Sequence, residues 1–152
     1  MGVPVQYVAG RGFGGVSGFG GSIAPGADHF GEVQAWNVDT GRQVWMHPYP
    51  KSPNWGSMLT TGGGLVFTGG TNDRKIHAFD AASGKLLWDA QVSSGIVAPP
   101  TTFTVSGRQY LAVHAGWGGD PRGMQNTMNR IYPGEYPPVP EGGSITVYAL
   151  PQ

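Results

Sequence analysis

From Val33 onward the chain alternates apolar and polar side chains in short runs. Val33-Gln-Ala-Trp36, Ile76-His-Ala-Phe79 and Ile145-Thr-Val-Tyr148 share one such pattern. A period of two predicts strands with one face packed and the other turned away. Residues 33–37 and 42–46 form one predicted hairpin, and 74–80 and 85–91 a second. Residues 57–61 and 64–69 read as two strands across Gly62-Gly63. Residues 100–105 and 108–115 pair across Ser106-Gly107, and 144–150 is a last strand. Residues 3–8 are a further candidate strand. No window carries an i, i+3, i+4, i+7 apolar pattern of useful length. The longest helix candidate, Arg122–Ile131, is rich in Met and Asn and reads as loop.

Two of the hairpins are copies of one phrase. Ala35-Trp-Asn-Val-Asp-Thr-Gly-Arg-Gln-Val-Trp45 and Ala78-Phe-Asp-Ala-Ala-Ser-Gly-Lys-Leu-Leu-Trp88 both read A-x-[ND]-x-x-[ST]-G-x-x-x-W. They begin 43 residues apart, the length of a four-stranded propeller blade. The polar residue, the hydroxyl and the glycine suit a tight turn. The tryptophan then ends the second strand. Trp45 and Trp88 are expected to be buried between neighbouring blades, near the glycine turn of the adjoining repeat. The fold class predicted is all-β, a partial β-propeller of four-stranded antiparallel blades.

The organisation follows. Residues 1–32 form a Gly-rich strand and loop. Residues 33–150 hold the blades: a half blade at 33–46, a full blade at 57–91, and a third from 100–115 plus 144–150. Residues 47–56 are a loop punctuated by proline, and 116–142 a long Gly- and Pro-rich loop. A closed propeller takes four to eight blades, so the remaining blades are expected from a longer chain or a complementing subunit.

Composition narrows the function. The 152 residues carry net charge +0 with 12% charged, which argues against a nucleic-acid footprint. Gly and Pro number 27 and 13, yet 39% of residues are hydrophobic and five are Trp, which favours turn-dense sheet over disorder. Cys is 0, so no disulfide or thiolate metal site exists. No apolar run approaches a membrane span, and no signal peptide is visible at the first residues. His29, His47, His77 and His114 lack metal-ligand spacing. His77 and His114 fall in predicted strands, His29 and His47 in loops. The carboxylates form no calcium loop. No G-x-S-x-G or paired-carboxylate signature is present. Arg11–Gly14 and Gly18–Gly21 are not a phosphate loop, since no GK[ST] follows.

The repeat phrase resembles the tryptophan-docking motif of pyrroloquinoline-quinone (PQQ) alcohol dehydrogenases. Asn54-Trp55-Gly56-Ser-Met-Leu-Thr-Thr-Gly-Gly-Gly64-Leu-Val-Phe-Thr-Gly69 is similar to that family's W-G-G-x-x-x-T-x-x-G-L-V-F-x-G stretch. Ser94-Gly-Ile-Val-Ala-Pro-Pro100-Thr-Thr-Phe resembles S-G-I-x-x-x-P-x-T-[FY], and Gly107-Arg-Gln-Tyr-Leu-Ala-Val113 resembles G-x-Q-Y-[VL]-A-V. Ala115-Gly-Trp117-Gly-Gly119 resembles the turn before the family's substrate-side loop. Gly142–Leu150 resembles its closing strand. The resemblance covers about residues 30–150 and corresponds to the C-terminal third of an eight-bladed methanol- or ethanol-type large subunit.

The resemblance implies a role in oxidising primary alcohols with PQQ and a calcium or lanthanide ion. It implies a cytochrome c as electron acceptor and a periplasmic location. It places Trp55 at the quinone, where an indole N–H and flat face meet a planar cofactor; the alternative is a packed core indole. It places Trp117 in the alcohol pocket, with the Gly119 and Asp120 backbone lining the quinone; the alternative for Trp117 is a core cap. Asp120, before Pro121, reads as a turn residue rather than a base. The family's catalytic carboxylate, metal ligands and adjacent-cysteine disulfide match nothing here. No catalytic or metal-ligating residue is therefore assigned, and the isolated chain is expected to be inactive. A non-catalytic scaffold or interaction module is the alternative.

Overall fold

The computed structural model describes residues 6–10, 23–116, 121–138 and 141–150. Among these residues, nine strands form three antiparallel sheets. β1 (Gly31–Asn37) pairs with β2 (Arg42–Tyr49). β3 (Met58–Thr60), β4 (Leu65–Thr68), β5 (Lys75–Asp80) and β6 (Leu86–Gln91) form a four-stranded meander. β7 (Thr101–Val105), β8 (Arg108–Gly116) and β9 (Gly143–Ala149) form the third sheet. The chain is nearly all β, as its alternation predicts.

The repeated phrase folds the same way twice. Asn37 Oδ1 accepts the backbone N–H groups of Asp39 and Thr40 at 3.0 and 2.9 Å. Asp80 Oδ1 accepts the N–H of Ser83 at 2.7 Å and its hydroxyl at 2.6 Å. Each turn then closes through a glycine at positive φ, Gly41 at 63° and Gly84 at 71°, where a side chain would be strained. Each copy also carries a register shift next to its alanine, at Ala35/Trp36 and Ala78/Phe79. The motif therefore specifies a bulged hairpin.

The central sheet is packed on both faces. Val66 and Phe79 turn toward the first sheet and cluster with Val33 and Tyr49. Phe67, Ile76 and Ala78 turn the other way and pack with Ile96, Leu111, Val113 and Ala115. This double burial leaves β4 and β5 buried along most of their length, with His77 buried among apolar neighbours. Trp45 ties the first two sheets together. Its ring lies on Gly84, where a Cβ would come within 2.5 Å of the indole. Its Nε1–H donates to the Ala81 carbonyl at 2.9 Å. Trp45 thus sits at the glycine turn of the adjoining repeat, half-buried. Trp88 departs from the expectation: it is 39% exposed, with Tyr148 set edge-on to its ring at 5.0 Å.

Three further expectations need correction. Residues 121–131, expected to be loop, form α1 (Pro121–Ile131). Proline is well suited to a first helical turn, having no N–H to leave unpaired. Met124, Met128 and Ile131 stand at i, i+4 and i+7, and Met128 and Gln125 are buried. The Gln125 side chain donates to Asn129 Oδ1 at 2.9 Å, one turn on. His47, expected in a loop, lies in β2, which runs on through Pro48 to Tyr49. β2 is an edge strand, where proline is tolerated. The candidate strand at 3–8 shows no strand at residues 6–8, and residues 3–5 lie outside the described residues.

Candidate functional site

The loop joining β2 to β3 carries Asn54 and Trp55. The backbone N–H of Trp55 donates to the Gly70 carbonyl at 3.0 Å. Gly56 lies flat against the β4–β5 connection: a Cβ there would stand 2.0 Å from the Gly69 carbonyl oxygen. Gly70, at φ +87°, meets Gly56 equally closely from the other side. Only glycine allows backbone to approach backbone in this way. Two side-chain atoms in the same loop are buried and unpartnered, Asn54 Oδ1 and Trp55 Nε1. Native proteins rarely leave a buried donor or acceptor unpaired, because it forfeits water without a replacement. Side by side in one loop, they suit a ligand carrying both a hydrogen-bond acceptor and a donor.

A polar cluster lies behind this loop. His77 Nε2 stands 3.3 Å from Asp73 Oδ2. Burial alone would raise the Asp73 carboxyl, but hydrogen bonds from His77 and Thr71 outweigh it and hold the group below its ordinary value. Burial raises the Tyr49 phenol strongly, with Asp73 adding to it. Tyr136 is pushed up to about 12, by burial first and then by the Asp73 charge. Burial, then the neighbouring His77, lowers His47. Tyr49 Oη, Asn72 Nδ2, His77 Nδ1 and Gln125 Oε1 are also buried without a partner. The segment around α1 covers the cluster from one side. Tyr132 Oη donates to the Pro50 carbonyl at 3.3 Å, and Lys51 pairs with Glu135 at 2.7 Å.

Of the residues singled out in the sequence, Trp55 is in this loop. Trp117, Gly119 and Asp120 lie outside the described residues. The strand leading to them ends at Gly116, whose N–H donates to the Gly95 carbonyl at 2.8 Å. Asn54 was missed as a site residue; its one sequence signal is its place beside Trp55. Among the described residues, no group of three or more His, Cys, Asp or Glu side chains could hold a metal ion. Two clefts open between the second and third sheets, of about 310 and 470 Å³. They are lined by Leu65, Phe67 and Leu111 and, in the larger, by Trp88 and Tyr148, with no charged residue. Nothing in them matches the paired polar atoms of the Asn54–Trp55 loop.

Residues 48–111 match the family described as PQQ glucose/ethanol/alcohol dehydrogenase, β-propeller domain. The quinoprotein ethanol dehydrogenase of Pseudomonas aeruginosa is 42% identical over 82% of this chain. The 1-butanol dehydrogenase (cytochrome c) of Thauera butanivorans is 36% identical over 83%. The chain spans only about a fifth of the length of these curated relatives, 19% and 18%. Among solved structures, a europium-containing methanol dehydrogenase superposes with a TM-score of 0.66 at 30% identity, over 82% of this chain and 24% of that one. Repeat, sheets and likenesses agree, and the chain belongs to the quinoprotein alcohol dehydrogenase family, as a segment of its PQQ-type β-propeller.

Proposed function

We propose that this chain is the propeller segment of an enzyme that oxidises primary alcohols to aldehydes with PQQ and a calcium or lanthanide ion. The observation that carries the reading is the pair of orphaned polar atoms, Asn54 Oδ1 and Trp55 Nε1, in a loop braced by glycine. A planar quinone with carbonyl and ring-nitrogen groups offers partners for both. PQQ, bound there, supplies the two-electron oxidant. The chain's own residues bind and orient it. Trp55 offers an indole face and one N–H, and Asn54 a carbonyl acceptor. Trp117 is assigned to the alcohol pocket, and Gly119 and Asp120 to the quinone, on the resemblance of their sequence alone. The metal ligands and the base come from outside this segment, as do the blades that close the ring. Electrons leave to a cytochrome c, and the enzyme works in the periplasm.

The test is a PQQ titration of the assembled enzyme, purified with every segment that completes the ring. Trp55→Ala is expected to weaken PQQ at least about tenfold, from the lost hydrogen bond and ring face, and to lower turnover in a dye-linked alcohol assay. Trp117→Ala is expected mainly to alter alcohol preference. The chain by itself is expected to show no alcohol oxidation with PQQ and metal added. Unchanged PQQ affinity in folded Trp55→Ala enzyme would instead support a scaffold.

A further inference from the structure

We infer that Ser52 is a positioning residue that aims Trp55, acting through a buried hydrogen bond to the opposite loop. The inference rests on the PQQ reading given above. Ser52 is 4% exposed and Asn72 3% exposed. Ser52 Oγ accepts the backbone N–H of Asn72 at 2.7 Å and donates to the Pro53 carbonyl at 2.7 Å. Three residues on, the Trp55 N–H donates to the Gly70 carbonyl. The segment therefore runs alongside residues 70–72 and is pinned to them at both ends. Asn54 lies between the pins, and Pro53, with its fixed φ, stiffens the span.

The other side is closed as well. Gly31, at the start of β1, presses on the loop. A Cβ there would stand 2.5 Å from the Ser52 carbonyl oxygen, 2.7 Å from Pro53 Cα and 2.8 Å from the Asn54 nitrogen. The loop is held in a slot between β1 and the β4–β5 connection. The Trp55 backbone can shift only if one of these contacts yields. Precise placement matters because a group displaced by about 1 Å can lose most of its effect on a bound reactant. Removing the Ser52 hydroxyl opens this clamp without touching Trp55.

The experiment follows the indole N–H signals of ¹⁵N-tryptophan-labelled assembled enzyme, with Trp55 assigned by Trp55→Phe. In Ser52→Ala the Trp55 signal is expected to shift or broaden while that of Trp45 stays in place. PQQ affinity is expected to fall about tenfold, and Ser52→Thr, which keeps the hydroxyl, is expected to restore both. Gly31→Ala approaches the loop from the opposite side and is expected to move the same signal. An unmoved Trp55 signal in Ser52→Ala would overturn the inference, whatever the affinity does. A moved signal with unchanged affinity in Ser52→Ala, but weakened affinity in Trp55→Ala, would also overturn it and leave the PQQ reading intact. Unchanged affinity in both variants would overturn the PQQ reading itself.

Discussion

Gly70→Ala is expected to destabilise the folded protein by at least about 2–3 kcal/mol and to dislodge the Asn54–Trp55 loop. Two costs combine. Alanine at φ +87° is strained, by roughly 1–2 kcal/mol. Its Cβ would also stand 2.1 Å from the Gly56 nitrogen and 2.5 Å from its Cα. Backbone cannot swing aside as a flexible side chain can, so the loop must move. Moving it breaks the hydrogen bond from Trp55 N–H to the Gly70 carbonyl, about 1 kcal/mol more. Gly107→Ala separates the costs, because Gly107 has a similar φ of +77° with nothing within 4 Å. Urea unfolding is expected to show a loss of only about 1 kcal/mol there. Equal losses at the two positions would mean that the close approach at Gly70 contributes nothing.

Trp45→Ala is expected to cost about 3 kcal/mol, at the lower end for truncating a large aromatic because the ring is half-buried. The substitution removes a ring that lies on Gly84 and stacks near Phe79, with centroids 6.3 Å apart. It also leaves the Ala81 carbonyl without its indole donor. Gly84→Ala attacks the same contact from the other side, by driving a methyl group into the indole. Gly41→Ala is the matched control, since its φ is +63° and nothing lies within 4 Å. Gly84→Ala is expected to be the more damaging of the two by at least about 1 kcal/mol. Losses of the same size would contradict the seating of Trp45 as a link between blades.

Much of the fold was legible because its signals are local. The [ND]-x-x-[ST]-G phrase is a self-contained turn: Asn37 and Asp80 bond to backbone within three residues. Helix α1 was not legible, because it presents few apolar positions and buries Gln125. A polar residue on the packed face masks the 3.6-residue period. His47 was read as loop because prolines follow it, yet β2 is an edge strand that tolerates Pro48. At the candidate site, Trp55 was singled out through resemblance alone. Ser52 and Asn72 were not, since the bond that gives them meaning joins residues 20 apart in sequence. Their types, serine and asparagine in loops, carry no signal of their own.

A crystal structure of the assembled enzyme with PQQ bound shows directly where the quinone lies. The expected result is a quinone whose polar atoms come within hydrogen-bond distance, about 3 Å, of Trp55 Nε1 and of the Asn54 side chain. A quinone bound away from this loop, with Trp55 Nε1 paired to a neighbouring protein group, would contradict it.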